Sequence, residues 1–172
     1  MTLEIISNMR QLLLVIGLIL AVSGRAEDIR IRDVFRSMPD SLMPYLSQNN
    51  RLDFIDFIDS NMKAEVKNIL GGTSEMTSLA DDSLSIRMSP ALKIDMFLLH
   101  SQAVTGDSSL VVCMVQTFGI DSLSLESTVD YYTLSWQHMI TPPQLSPSDK
   151  QRIERVKVQT ILNWRTKILK NN

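Results

Sequence analysis

Hydrophobic positions between Arg51 and Leu70 fall at Ile55, Ile58, Met62, Val66 and Ile69, at spacings of three and four. That places them on one face of a helix. Asn50 is a suitable N-cap, and Asp53 stands in the first turn, where a carboxylate meets the positive end of the helix dipole. Gly71-Gly72 supplies a left-handed exit. The pattern predicts one long amphipathic helix over 51–70, with Phe54 and Phe57 widening its apolar side. Asp53, Asp56 and Asp59 recur every three residues and drift around that helix rather than converging. Asp53 is explained by capping, Asp59 by an ion pair with Lys63 four residues on, and Asp56 by solvation.

After Gly72 the period changes from 3.6 to 2. Leu84, Ile86 and Met88 alternate with polar residues, as do Leu92, Ile94, Met96 and Leu98. The run "SLVVCMVQT" is apolar on both faces, as in a central strand covered on each side. "SLSLES" and "TVDYYTLSW" alternate again, Tyr132, Leu134 and Trp136 sharing a face. Turn signals at Ser89-Pro90, "TGDSS" and "GIDS" separate these segments, so five or so strands follow one another as an antiparallel meander. The echo of "DDSLSIRM" in "IDSLSLES" is explained by an Asp-Ser turn feeding a strand.

The chain ends are less regular. Ile31, Val34 and Phe35 share a short helical face that stops at Met38, before Pro39. A second brief turn starts at Asp40 or Ser41. Near the C-terminus, Ser146, Pro147 and Asp149 form a helix start, whereas Val156, Val158, Thr160, Leu162 and Trp164 fit alternation. A short helix followed by a final strand is the expectation, with one continuous helix as its rival. Residues 1–26 read as an export signal: a polar start to Arg10, an apolar run Leu12–Val22, and "GRA" before Glu27. The run falls short of the roughly 20 residues of a membrane span, and no cysteine beside it offers a lipoprotein anchor. An uncleaved anchor is the alternative. Residues 27–172 are then expected to be a single globular α+β domain in the periplasm, with no stable membrane span once the signal is cleaved.

Charge sharpens this picture. Glu27 to Ser148 carries 8 Lys and Arg against 16 Asp and Glu, a net of −8, while Asp149 to Asn172 carries 7 against 2, a net of +5. The basic segment is expected to dock on the acidic body, and nucleic acid is not an expected partner of an exported chain. One cysteine, Cys113, excludes an intramolecular disulfide, and its place in "VVCMV" suits a buried inert thiol.

Catalytic patterns are missing. There is no G-x-S-x-G elbow, phosphate loop, zinc cysteine pair or calcium loop, and His100 and His138 are the only imidazoles. Asp81-Asp82 precedes a strand in a turn, where such residues are ordinary. No catalytic, metal or cofactor residue is therefore expected. Eight methionines follow Glu27, several beside apolar faces. Methionine suits ordinary core filling and also adaptable apolar surfaces. Met62, Met88 and Met96 are the candidates for such a surface, against either an apolar ligand or a partner protein.

The blocks "MPDSLMPYLSQNNRLDFIDF", "NMKAEVKNILGG", "SEMTSLADDSLSIRMSPAL" and "VVCMVQTFG" resemble an exported Bacteroidales family known as domain of unknown function 3256. The resemblance runs from about Val34 to about Gly119 and weakens beyond. It implies an envelope protein of a Gram-negative anaerobe lineage and brings no activity, cofactor or catalytic residue. The expected molecule is an α+β domain, N-terminal helices packed on a mainly antiparallel sheet. Its expected role is a non-enzymatic binding or interaction module. The alternatives are a periplasmic carrier of a lipid-like or lipoprotein ligand and, behind it, a small hydrolase.

Overall fold

The computed structural model of the chain describes residues 28–102, 108–119 and 125–171. The export signal assigned to residues 1–26 lies outside them. Alternating segments form six strands: β1 (Glu65–Lys67), β2 (Thr73–Leu79), β3 (Ser83–Ser89), β4 (Leu92–Gln102), β5 (Ser108–Gly119) and β6 (Leu125–Tyr132). Each pairs antiparallel with the next, in the order β1 to β6, so the sheet is an uninterrupted meander in an α+β fold. The period-two reading holds for Leu84, Ile86, Met88, Ile94, Met96 and Leu98, all buried on one face; Leu92 is half-buried, and the alternation expected through Leu134 and Trp136 stops where β6 ends at Tyr132. β5 is buried on both faces, as its uninterrupted apolar run requires.

One face of the sheet carries the N-terminal layer. Helix α1 (Ile31–Arg36), a single 3-10 turn (Asp40–Leu42) and helix α2 (Gln48–Asp59) bury Ile31, Phe35, Met43, Leu46, Phe54 and Ile55 against it. Arg51, 1% exposed, staples this layer. It donates to the carbonyls of Met38 (2.6 Å) and Leu46 (3.0 Å) and pairs with Asp40 at 2.8 Å. The indole Nε1 of Trp136 donates to the Val34 carbonyl at 3.0 Å, tying α1 to the segment after β6. The other face is covered by α3 (Pro147–Asn171), whose Ile153 and Val156 pack on Phe97, Leu99, Val111, Cys113 and Val115.

Two expectations are corrected. The helix expected over 51–70 is α2, 48–59, and it begins and ends earlier. Ser47, not Asn50, is the cap: Asn50 N–H donates to Ser47 Oγ and Ser47 N–H returns to Asn50 Oδ1, both at 3.2 Å. At the other end Asn61 takes a left-handed φ of 54°. Its N–H donates to the Ile58 carbonyl (3.0 Å) and Met62 N–H to that of Phe57 (2.8 Å), the paired bonds of a Schellman stop. The helical spacing of Met62, Val66 and Ile69 is therefore coincidental. Ala64, Val66 and Asn68 are buried in alternation, on and beside β1, and Gly71 (φ 79°) turns the β1–β2 hairpin. Asp53, Asp56 and Asp59 are exposed, and Asp59 pairs with Arg32 at 3.0 Å rather than with Lys63, which meets Glu65.

The second correction is the C-terminus, where a continuous helix replaces the short helix and final strand. Its start is as expected: Ser146 Oγ accepts from Asp149 N–H at 3.1 Å, with Pro147 in the first position. Ile153, Val156, Thr160 and Trp164 lie at spacings of three and four and turn inward, leaving Val158 and Leu162 about half exposed. Helical packing on an existing sheet face outweighs the β preference of single valines.

Candidate functional site

Four of the large apolar side chains exposed among the described residues, Tyr45, Ile69, Leu70 and Phe118, gather at one end of the sheet, while Ile140, Met62, Val158, Leu162 and Ile29 are exposed elsewhere. At that end the β1–β2 hairpin tip, the β3–β4 turn and the end of β5 meet the loop before α2. Asn68 builds the tip. Its side chain is buried, accepts from Leu70 N–H and Gly72 N–H (3.1 Å each), and donates to Ser74 Oγ (3.1 Å) and the Met88 carbonyl (3.2 Å). Ile69 N–H donates to the Tyr45 carbonyl at 3.2 Å, fastening the tip to the N-terminal layer. These bonds hold Ile69 and Leu70 at 69% and 70% exposure. Tyr45 and Phe118, 37% and 41% exposed, stand with them. Between Tyr45, Leu70, Met88, Leu92 and Phe118 opens a cavity of about 270 Å³.

The three methionines singled out in the sequence do not converge here. Met88 lines the cavity from β3 and is otherwise buried. Met96 is wholly buried in the core under the N-terminal layer. Met62 is 55% exposed on the link between α2 and β1, because the helix that was to carry it inward has already ended. Leu70, Tyr45 and Phe118 were not anticipated. The readable signal was two aliphatic residues directly before Gly71-Gly72, which is unusual once that pair is taken as a hairpin turn.

A second, larger cleft of about 560 Å³, lined by charged and apolar side chains in about equal measure, lies where the start of α3 meets the β2–β3 turn. Asp81, Asp82, His100, Asp149, Arg30 and Arg152 line it. Arg152 donates to both carboxylate oxygens of Asp82 (2.7 and 3.0 Å) and lies 4.6 Å above the Phe97 ring. This bond holds the Asp82 carboxyl below its ordinary range, so it is an ionised anchor for α3 rather than a proton donor. His138 lies elsewhere, with Nε2 3.4 Å from Asp130 and its ring edge-on to Tyr132. Among the described residues no group of three His, Cys, Asp or Glu side chains is placed to hold a metal ion. Cys113 is fully buried, and burial pushes its thiol up to about 12. Among the described residues no helix is long and apolar enough to cross a membrane.

Lys93 and Asp95 form a further polar pair beneath α3, at 2.8 Å, with Ser85 donating to Asp95 and Lys93 reaching Thr160 Oγ1 at 3.2 Å. Asp95 is 1% exposed and fully engaged, so the group joins helix to sheet.

Comparison with known proteins adds fold and family. No curated protein matches the chain. A domain of an uncharacterized protein from Porphyromonas gingivalis W83 has a similar fold, with a TM-score of 0.53 and 22% identity over 64% of this chain. The match takes in 54% of that chain, about half its length. A family model described as a protein of unknown function, DUF3256, matches residues 21–163, and the chain belongs to that family.

Proposed function

We propose that this chain is a non-enzymatic interaction module of the cell envelope, exported by the signal at its N-terminus. It docks a partner protein at the apolar end of its sheet. The observation that carries this reading is the hairpin tip. Loop tips are ordinarily polar and mobile, whereas this one holds two large aliphatic residues outward on a buried, fully bonded asparagine. Pre-ordering of this kind lowers the entropic cost of binding. The adjoining cavity, about 270 Å³, lies below the roughly 300–1,000 Å³ of pockets that enclose whole small molecules. It suits one apolar side chain of a partner, the usual form of an anchoring contact.

The same cavity supports a second reading, a carrier that grips part of an acyl chain. Against it stand the burial of Met96 in a filled core and the outward position of Met62.

A photo-crosslinking residue at Leu70, introduced in the cells that make the protein, separates these readings. A discrete protein adduct is expected, lost when Phe118→Asp is added and absent when the probe stands at Lys150. A lipid adduct would move the reading to the carrier. No adduct above that at Lys150 would end both.

A further inference from the structure

The sheet has two edges, and they differ. β1 is three residues long with Glu65 and Lys67 at its ends, a short charged edge of the kind that discourages further pairing. β6 is eight residues long, and its outer edge is closed at one end only. There Met139 N–H donates to the Tyr131 carbonyl (2.8 Å) and Thr133 N–H to the Gln137 carbonyl (2.9 Å). Backbone groups alternate along a strand, so the N–H and C=O of Val129, Ser127 and Leu125 point the same way as those of Tyr131. Among the described residues none of the three has a backbone partner on that side. The helices pack mainly on the inner strands, α2 on β1 and β2, α1 on β3 and β4, and α3 on β4 and β5; α3 reaches the face of β6 at Leu125 and Val129 but makes no backbone hydrogen bond to its outer edge among the described residues.

We propose that β6 pairs with β6 of a second copy of this chain, antiparallel about a two-fold axis through Ser127, joining two six-stranded sheets into one. Charge selects this register. Three antiparallel registers pair at least two of the outward groups at 125, 127 and 129 with those of the copy, centred on residues 126, 127 and 128. Centred on Glu126, the two Glu126 carboxylates would oppose each other; centred on Thr128, Glu126 would face Asp130. Like charges directly opposite destabilise a pair of strands. Centred on Ser127, Glu126 faces Thr128, and Leu125 faces Val129 on the side that carries α3. Three hydrogen-bonded residue pairs, each exchanging two bonds, give about six new backbone hydrogen bonds. The paired edge adjoins the apolar end of the sheet at Phe118, the cross-strand partner of Glu126, while the Ile69–Leu70 tip belongs to the β1–β2 hairpin at the opposite side of the strand order.

Cysteine placement provides the first test. In a hydrogen-bonded antiparallel pair the two Cα atoms at position 127 lie about 5.5 Å apart, inside the span a disulfide closes. Ser127→Cys is expected to give a covalent dimer on mild oxidation. Thr128→Cys, which faces Glu126, is expected to form no covalent dimer under the same oxidation, and Cys113 is buried and does not compete. Proline provides the second. At Ser127 it removes only an outward N–H, which an edge strand tolerates, so Ser127→Pro should weaken dimerisation about tenfold or more in sedimentation equilibrium with an unchanged far-ultraviolet spectrum. Ser127→Ala controls for the lost contact with Thr117 Oγ1 at 2.9 Å and should stay dimeric. If Ser127→Pro fails to fold, the cysteine pair decides alone. A native protein that is monomeric up to millimolar concentration overturns the proposal. So do equal crosslinking at 127 and 128, a dimer indifferent to Ser127→Pro, and an edge that takes up only foreign peptides.

Discussion

Asn68 carries the functional reading at the scale of one residue. A buried amide with two donated and two accepted hydrogen bonds is a full set for that side chain. Asn68→Ala removes all four and strands two backbone N–H groups, a loss on the order of 2 kcal/mol. Urea unfolding of the variant should show it, and hydrogen exchange should rise across 69–72 while the core strands stay protected. An unchanged exchange rate at the tip would mean that the backbone alone sets its shape. Nothing in the sequence marked Asn68, since an asparagine before Ile-Leu-Gly-Gly fits a helix end as well as a hairpin. Asn61, by contrast, was readable: it is the residue type that next to glycine best accepts a left-handed helix stop. Its signal was overridden by a run of apolar spacings that happened to continue past it.

β3, β4 and β5 were legible, whereas β1 was read as helix, β2 was not read as a strand, β6 was read as two strands, and two helix boundaries were missed, for a physical reason. Alternation in β3 is enforced by burial on one face, so a shift of one residue would turn its apolar set outward, while the unbroken apolar run of β5 marks a strand covered on both faces. A helix boundary rests on a few capping bonds, and those compete with weak periodicities nearby. In α3 the competing signal was valine content, while the deciding factor was a bare sheet face that sequence alone does not display. The seating of α3 can be tested at Gly119. A Cβ there would come within 2.1 Å of Leu125 Cδ2 and 2.7 Å of the Trp164 ring. Gly119→Ala should therefore push the far end of the helix outward, at about 1–3 kcal/mol. Trp164 emission should shift to longer wavelength, read against Trp164→Phe to remove the background of Trp136. An unshifted spectrum would mean that Leu125 alone makes room.

Across the whole molecule, the opposed charges of body and tail meet less often than their totals suggest. Arg152 with Asp82 is the ion pair that joins α3 to the acidic body among the described residues, while Lys157 pairs within the helix with Glu154. Because Arg152 lowers the Asp82 pKa, the pair contributes stability above the ordinary value of 3.8 and loses it as the pH falls through the lower folded value. Asp82 is about half exposed, so the contribution is well under the buried-pair scale, a few tenths of a kcal/mol. Asp82→Asn should lower the melting temperature slightly at pH 6 and leave it level with the parent near pH 2. A constant difference at both values would place the effect in packing rather than charge.

The position of α3 in the chain has a consequence for the order of events during synthesis. Phe97, Leu99, Val111, Cys113 and Val115 are complete long before the ribosome reaches Pro147, yet their cover is Ile153 and Val156. Until those residues emerge, the nascent sheet has one sealed face and one open face, and local contacts cannot close it. The last element of the chain is thus the one that supplies the second cover of the sheet.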